Sequence, residues 1–135
     1  MTTIERILKT SRTVAIVGLS PDEERASNHV GSYLREQGYT VIPVNPNAQT
    51  VIGEKSYPDL VSIPVKVDLV DIFRKPEDVP PVVDEAIKIG AKAVWMQLGI
   101  VNREAAARAR EAGLTVVMNR CMFREHERIF GSGNA

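Results

Sequence analysis

The chain has 135 residues, a length typical of one domain built around a single hydrophobic core. Its hydrophobic content of 44% and its charged content of 25% are typical of a globular protein that folds in water. Seventeen basic residues balance seventeen acidic ones, which argues against a general binder of nucleic acids or membrane surfaces, because such proteins present a net basic face.

The first half of the chain shows the patterns of two helices and two strands. Apolar residues three and four apart indicate helices, and short continuous apolar runs indicate strands that are buried on both faces. In chain order, these patterns predict a helix over residues 3–10, a strand over 13–17, a helix over 27–37 and a strand over 39–44. Ser27 is a favourable N-cap for the second helix. Two prolines and a glycine predict an irregular connection over residues 48–66.

The second half of the chain continues this alternation of strands and helices. In chain order, its patterns predict a strand over residues 67–73, a helix over 79–89, a strand over 93–97, a helix over 103–112, a strand over 114–118 and a helix over 121–127. Asn102 is expected to cap the helix that starts at the next residue. Residues 129–135 are expected to form a flexible tail.

Strands that alternate with helices are typical of a parallel sheet that is covered by helices on both faces. We therefore predict an α/β fold, with one domain over residues 1–135 and a five-stranded parallel sheet. Right-handed crossovers leave few topologies, and we predict the strand order 3-2-1-4-5, numbered along the chain. Ligands of such sheets bind at the carboxyl ends of the strands, at the switch point between strands 1 and 4.

Each predicted strand is followed by a short segment of residues suited to binding. These segments are Gly18-Leu19-Ser20, Val44-Asn45-Pro46, Phe73-Arg74-Lys75, Gln97-Leu98-Gly99 and Asn119-Arg120-Cys121. Because the carboxyl ends of parallel strands meet at one edge of a sheet, we expect these five segments to converge.

The first segment has the features of a site for phosphate or pyrophosphate. A glycine at the strand end lets an anionic ligand approach the backbone closely, and backbone N–H groups at the start of the next helix bind anions. The candidate residues of this stretch are Gly18, Leu19, Ser20, Arg25, Ser27 and Asn28. An ordinary turn between strand and helix is the alternative, because the pattern G-x-G-x-x-G is incomplete here.

The second and third segments favour a nucleotide other than NAD. Strand two ends at Asn45 and Pro46, where an NAD-binding fold usually has an acidic residue for the ribose hydroxyls. Phe73 either lies against an adenine ring or belongs to the core. Arg74 and Lys75 either meet a phosphate or form a solvated pair. The sequence therefore argues against an NAD(P)-dependent oxidoreductase, which is the less favoured hypothesis.

The fourth segment is expected to form a wall of the ligand pocket through Met96 and Gln97, with Gly99 allowing close approach. In the fifth segment, Cys121 follows Arg120 near a helix start, where a thiol can act as a nucleophile. A small buried residue is the alternative that we favour. The two histidines, His29 and His126, lack neighbours at metal-ligand spacing, so we expect no metal site.

The cysteine count and the amino terminus indicate the compartment. One cysteine excludes an internal disulfide and is typical of a reducing environment. The first residues lack the apolar core of a signal peptide, and no apolar run approaches the roughly 18 residues of a membrane span. We therefore expect a cytoplasmic protein that does not contact a membrane.

An ordered set of short motifs runs from about residue 7 to residue 128. The motifs are Val17-Gly18-Leu19-Ser20 with Arg25 and Ser27, Gly38-Tyr39, Pro43-Val44-Asn45-Pro46, Gly53-Glu54 before Tyr57-Pro58, Val67-Asp68 with Phe73-Arg74, Trp95-Met96-Gln97-Leu98-Gly99, and Arg120-Cys121. This set resembles the small, stand-alone CoA-binding domain family. The Rossmann-like fold of that family is similar to the CoA-binding domain of the succinyl-CoA synthetase alpha subunit.

The resemblance implies coenzyme A as the ligand. Gly18 and Ser20, with the loop through Arg25 to Asn28, would meet its diphosphate. Asn45 and Pro46 would border the ribose-phosphate region, and Phe73 and Arg74 would hold the adenine side. The remaining pocket edge would be formed by Met96, Gln97, Gly99, Asn119 and Arg120. Asn119 stands where family members carry Asp, so a carboxylate role at that position is not implied. The synthetase's phosphohistidine lies in a further domain, so ligase chemistry is not implied either.

We therefore predict a protein that binds CoA or acyl-CoA and lacks an identifiable catalytic pair. Its partner would be this small molecule, and we expect it to bind neither nucleic acid nor a membrane. The sequence is compatible with a homo-oligomer. The alternative is an enzyme or regulator that uses Cys121 for thiol-redox or acyl-transfer chemistry.

Overall fold

A computed structural model of the chain describes residues 1–131. The tail predicted for residues 129–135 therefore lies outside the described residues from residue 132 onward. Its first two residues, Ile129 and Phe130, belong to the last helix, so the predicted start of the tail is wrong. These positions continue the apolar face of that helix and pack against the hydrophobic core, which is why the helix extends over them.

Strands and helices alternate as the sequence predicts. The elements are α1 (Thr3–Thr10), β1 (Thr13–Val17), α2 (Ala26–Glu36), β2 (Thr40–Val44), β3 (Thr50–Val51), β4 (Glu54–Lys55), β5 (Leu69–Ile72), α3 (Val79–Lys88), β6 (Ala93–Met96), α4 (Arg103–Glu111), β7 (Thr115–Val117) and α5 (Met122–Phe130). A short 3₁₀ turn (Pro76–Asp78) leads into α3, and β3 and β4 form a small antiparallel hairpin. None of the helices within residues 1–131 combines the length and the apolar character that a membrane span requires.

The main sheet has five parallel strands in the order β2-β1-β5-β6-β7, which confirms the predicted α/β fold class. The predicted order 3-2-1-4-5 is wrong, because β5 pairs with β1 and not with β2. β2 is consequently an edge strand. This position suits Pro43, because proline has no backbone N–H to donate to a second neighbouring strand. The connection from β2 to β5 contains no crossover helix. The local sequence therefore does not indicate whether β5 pairs with β1 or with β2.

The sheet is buried between two layers of helices. On one face, α3 and α4 pack through small and β-branched side chains such as Val83, Ala86 and Ala105. On the other face, α1, α2 and α5 contribute larger side chains such as Leu34 and Met122. Both faces of β1 and β5 are therefore buried, and only the ends of these strands reach the surface.

Of the two predicted helix caps, the cap of α4 is confirmed and the cap of α2 is a different residue. The side chain of Asn102 accepts a hydrogen bond of 2.9 Å from the N–H of Ala105, as expected for the cap of α4. At α2 the cap position is held by Arg25, so the prediction that Ser27 is the cap is wrong. The Ser27 hydroxyl instead accepts a bond of 3.0 Å from the N–H of Ser20 and ties the preceding loop to the helix.

Asp71 is a fully buried carboxyl within β5. Because side chains alternate along a strand, it shares the face of Leu69, which packs in the layer of α1, α2 and α5. One oxygen accepts a bond of 2.6 Å from the Gln97 amide, and the other has no hydrogen-bond partner within residues 1–131. Burial raises the pKa of Asp71 to about 7, although the Gln97 bond and the N–H of Ile72 oppose the shift.

This raised pKa predicts how Asp71→Asn changes the pH dependence of stability. Below about pH 4 both folded and unfolded wild type carry the proton, and stability is unaffected by this group. From there to about pH 7 the unfolded chain releases the proton while the folded chain keeps it, so wild type loses stability relative to the variant. The loss is on the order of 1.4 kcal/mol per pKa unit and levels off above pH 7.

Urea unfolding at several pH values between 4 and 8 measures this divergence. Val61→Asn, which introduces the same side chain at an exposed position without removing a titrating group, is the control and should run parallel to wild type. Parallel profiles for wild type and Asp71→Asn would show that the Asp71 carboxyl is ionised in the folded protein.

Candidate functional site

A cavity of about 550 Å³ lies at the carboxyl ends of β1 and β5. These two strands are neighbours, but the chain leaves β1 toward β2 on one side and continues from β5 toward β6 on the other. The cavity is therefore at the topological switch point, where open α/β sheets bind ligands. Its lining consists of Gly18, Ser20, Arg25, Ala26, Ser27, Phe73, Arg74, Lys75, Pro76 and Ile100.

Gly18 allows the ends of β1 and β5 to approach each other. Its φ of +91° is a conformation that side chains disfavour, and its N–H donates a bond of 2.9 Å to the carbonyl of Val44. A Cβ at this position would collide with the carbonyl oxygen of Phe73 and would lie 2.7 Å from Nη1 of Arg74. Glycine at the end of β1 therefore places the Arg74 guanidinium directly over the strand end.

The loop after Gly18 is held by its own polar groups. The Ser20 hydroxyl accepts a bond of 3.0 Å from the N–H of Asp22, and the Asn28 amide donates one of 2.9 Å to the carbonyl of Ser20. Together with the bond from the Ser20 N–H to Ser27, these contacts connect the loop to the first turn of α2. The loop is thereby preorganised next to the helix start.

The first turn of α2 has free hydrogen-bond donors at the cavity. Within residues 1–131, the N–H groups of Ala26 and Ser27 have no acceptor, and the Arg25 side chain does not cap the helix. The first turn also contains no acidic residue. Free N–H groups and the helix dipole both favour a negatively charged group at this position.

Three cations line the same cavity. Arg25, Arg74 and Lys75 form no ion pair within the described residues, and the lining includes no carboxylate. Unpaired cations beside free helix N–H groups are suited to phosphate or diphosphate groups. Phe73 and Ile100 supply the apolar part of the lining, which a base or an alkyl chain can contact.

The second predicted segment takes part in the scaffold and does not line this cavity. The Asn45 amide donates a bond of 3.1 Å to the carbonyl of Leu19, and its oxygen accepts one of 2.9 Å from the N–H of Asn47. Pro46 is exposed on the adjoining turn. Leu19 is fully buried and packs against Gly31 of α2.

The fourth and fifth predicted segments also lie outside the cavity lining. Met96 is fully buried, and Gln97 is buried with its amide bonded to Asp71 and its oxygen 3.3 Å from the N–H of Met122. The Asn119 side chain accepts a bond of 2.7 Å from the N–H of Gly99, which ties the ends of β6 and β7 together. Arg120 is exposed beside this contact, and its carbonyl accepts a bond of 2.8 Å from the Trp95 indole.

The structure therefore brings together only part of the predicted set. Seven of the predicted residues line the cavity: Gly18, Ser20, Arg25, Ser27, Phe73, Arg74 and Lys75. The residues that do not line it are Leu19, Asn28, Asn45, Pro46, Met96, Gln97, Gly99, Asn119 and Arg120. Three lining residues were not predicted. Ala26 could have been found by starting α2 one residue earlier, and Pro76 directly follows a predicted segment, whereas Ile100 had no distinguishing signal.

Two further groups lie close to this site without lining it. Cys121 is half-buried at the cap position of α5 and packs against the core on the face of α1 and α2. Asn28 lines a larger cavity of about 720 Å³ between α2 and the hairpin, together with Ile52 and the ion-paired Arg35. That cavity contains two carboxylates, Glu23 and Glu36, so it is less suited to an anion.

The cavity's preference for anions agrees with the comparison to known families. A family model described as a CoA binding domain matches residues 12–127. The chain belongs to the CoA-binding domain family. The resemblance recognised from the short motifs is thereby confirmed.

Similar proteins include stand-alone chains and a large ligase. The uncharacterised protein YneT of Bacillus subtilis (strain 168) is 38% identical to this CoA-binding domain over 119 residues, which cover 88% of each chain. ADP-forming acetate–CoA ligase I of Archaeoglobus fulgidus is 30% identical over 121 residues, which cover 82% of this chain and 18% of the ligase. Among solved structures, a hypothetical protein from Pyrococcus horikoshii OT3 is 51% identical with a TM-score of 0.93, covering 95% of this chain and 90% of that one.

The close approach at Gly18 predicts a large effect of Gly18→Ala on this CoA-binding domain. Gly38→Ala is the matched control, because Gly38 has a similar φ of +99° but nothing within 4 Å of an added Cβ. The control should lose about 1–2 kcal/mol of unfolding free energy from backbone strain alone. Gly18→Ala should lose about 1–3 kcal/mol more, because the ends of β1 and β5 must separate.

Urea denaturation of both variants measures the difference. Equal losses for the two alanine substitutions would show that the close contact between Gly18 and the Phe73–Arg74 backbone does not constrain the fold.

Proposed function

We propose that this protein binds coenzyme A in the 550 Å³ cavity at the ends of β1 and β5. The observation that carries the proposal is the combination of three unpaired cations with the uncapped start of α2 around a cavity without carboxylates. Membership of the CoA-binding domain family supports CoA over other anionic nucleotides.

The proposed roles follow from the position of each group. The N–H groups of Ala26 and Ser27, with Arg25, would hold the diphosphate, because they are donors at a helix start. Arg74 would meet the 3′-phosphate, and Phe73 would contact the adenine ring. A volume of about 550 Å³ falls within the range of about 300–1,000 Å³ found for small-molecule sites.

The proposal concerns binding and not the ligase reaction. The match to the acetate–CoA ligase covers 18% of that protein, so its activity is not transferred to this chain. Cys121 is not among the residues that line the cavity, and we assign it no part in binding the nucleotide.

Isothermal titration of the full chain with CoA tests the proposal. We expect saturable binding that weakens as salt is added, because phosphate contacts are screened. Titration with NADH is the comparison ligand and should show weaker binding, because Asn45 and Pro46 provide no carboxylate for the ribose. If the folded protein gives no heat of binding at millimolar CoA, the proposal is wrong.

The role of Arg74 predicts a difference between CoA and dephospho-CoA. Arg74→Gln should weaken CoA by about 10- to 150-fold, since a charge-assisted contact contributes about 1.5–3 kcal/mol. The same variant should have little effect on dephospho-CoA, which lacks the 3′-phosphate. Arg110→Gln, at an exposed arginine of α4 outside the cavity, is the matched control and should bind both ligands as wild type does. Equal losses for the two ligands would reject the assignment of Arg74.

A further inference from the structure

A separate cavity lies at the opposite end of the sheet, where the strands begin. Its volume is about 320 Å³, and it lies between the end of α1, the turn before β2 and the last two turns of α5. The volume is at the lower end of the range for small-molecule sites. No residue of the CoA-binding cavity lines it. The two cavities are therefore distinct sites at the two ends of the strands.

A buried histidine presents a hydrogen-bond donor to this cavity. His126 is 6% exposed, and its Nδ1 lies 2.7 Å from the hydroxyl of Tyr33. Burial and the nearby Glu127 carboxylate raise the pKa of Tyr33, and burial lowers the pKa of His126, so the hydroxyl keeps its proton and the ring is neutral at pH 7. The Tyr33 hydroxyl has no other acceptor within residues 1–131, so donation to Nδ1 satisfies both groups. Nε2 then carries the ring hydrogen.

Two buried side chains of the lining can donate hydrogen bonds into the cavity. Neither Nε2 of His126 nor the hydroxyl of Ser11 has a partner within the described residues, and neither is among the atoms fully shielded from solvent. Both residues line the cavity although each is more than nine-tenths buried, so solvent reaches these atoms through it. The hydroxyl of Tyr39 is already committed, since it donates a bond of 2.5 Å to the carbonyl of Leu8.

The cavity lies at the carboxyl-terminal ends of α1, α2 and α5, and two cations at its rim offset the negative ends of these helix dipoles. Lys9 and Arg12 are exposed, and neither side chain forms an ion pair within residues 1–131. Within residues 1–131, no carboxylate is among the lining residues. Leu8 and the rings of Tyr39 and Phe130 supply the apolar part of the walls, and the Gln37 amide is a further polar group of the lining. A ligand with a charged acceptor group and an apolar body matches this arrangement.

We propose that this second cavity, with Lys9 and Arg12 at its rim and Ser11 and His126 at its base, binds a small organic carboxylate. The carboxylate accepts from the cations, and the apolar body lies against Tyr39 and Phe130. The site is separate from the one proposed for CoA, because the two cavities share no lining residue.

Chemical-shift mapping of the full chain with three probes tests this inference. Benzoate has both the charge and the apolar ring, benzyl alcohol has the ring without the charge, and inorganic phosphate has charge without a ring. Benzoate should shift the amide signals of residues 8–12, 37–39 and 126 in a saturable manner. Benzyl alcohol and phosphate should each bind at least about tenfold more weakly, since each lacks one of the two matching parts.

A charge variant and its control separate binding from stability. Lys9→Gln combined with Arg12→Gln should weaken benzoate by about tenfold or more, because both charge-assisted contacts are lost. Lys88→Gln combined with Arg110→Gln removes two exposed cations from α3 and α4 and should leave the affinity unchanged. His126→Phe should weaken benzoate while retaining the aromatic packing around residue 126.

Three outcomes would overturn the inference. One is the absence of saturable shifts around this cavity at 20-fold molar excess and above. A second is equal affinity for benzoate and benzyl alcohol, which would mean that the cations are not used. A third is a charge variant that changes stability but not affinity, which would show that Lys9 and Arg12 serve only the carboxyl ends of nearby helices.

Discussion

The direct pairing of β1 with β5 is the constraint on which the candidate site depends. The two strands run side by side up to Gly18, whose missing side chain leaves room for the carbonyl of Phe73. This close approach brings the Arg74 guanidinium over the end of β1, next to the first turn of α2. The cations that follow β5 and the free N–H groups of α2, the helix after β1, therefore line the same cavity. If a strand other than β5 lay beside β1 here, Arg74 and Lys75 would be separated from the start of α2.

Several polar residues that follow the strands stabilise this arrangement from outside the cavity. Gln97 donates to Asp71 in β5 and accepts from the N–H of Met122, so it connects the sheet to the start of α5. Asn45 makes a corresponding connection from the end of β2 to the loop after β1, through the carbonyl of Leu19. A primary amide can donate and accept at once, so each of these side chains connects two separate segments of the chain.

The equal numbers of basic and acidic residues conceal a local separation of charge. At the carboxyl ends of β1 and β5 the cavity is lined by three cations, and at the amino-terminal end of the sheet another cavity is lined by two. Carboxylates line other cavities, such as the one beside α2 that includes Glu23 and Glu36 and one beside α3 that includes Asp59, Asp78 and Glu85. Net charge therefore excludes a uniformly basic surface but does not describe the individual sites.

The sequence alone determined the alternation of strands and helices and the parallel α/β class, because each follows from local periodicity. It also identified Gly18, Ser20, Arg25 and Ser27, which line the cavity proposed for the phosphates. Strand order was decided only by the tertiary structure, since the connection between β2 and β5 has no helix to direct it. The same holds for Met96 and Gln97. Their position after a strand was visible in the sequence, but whether such side chains face a cavity or the core depends on packing between distant elements.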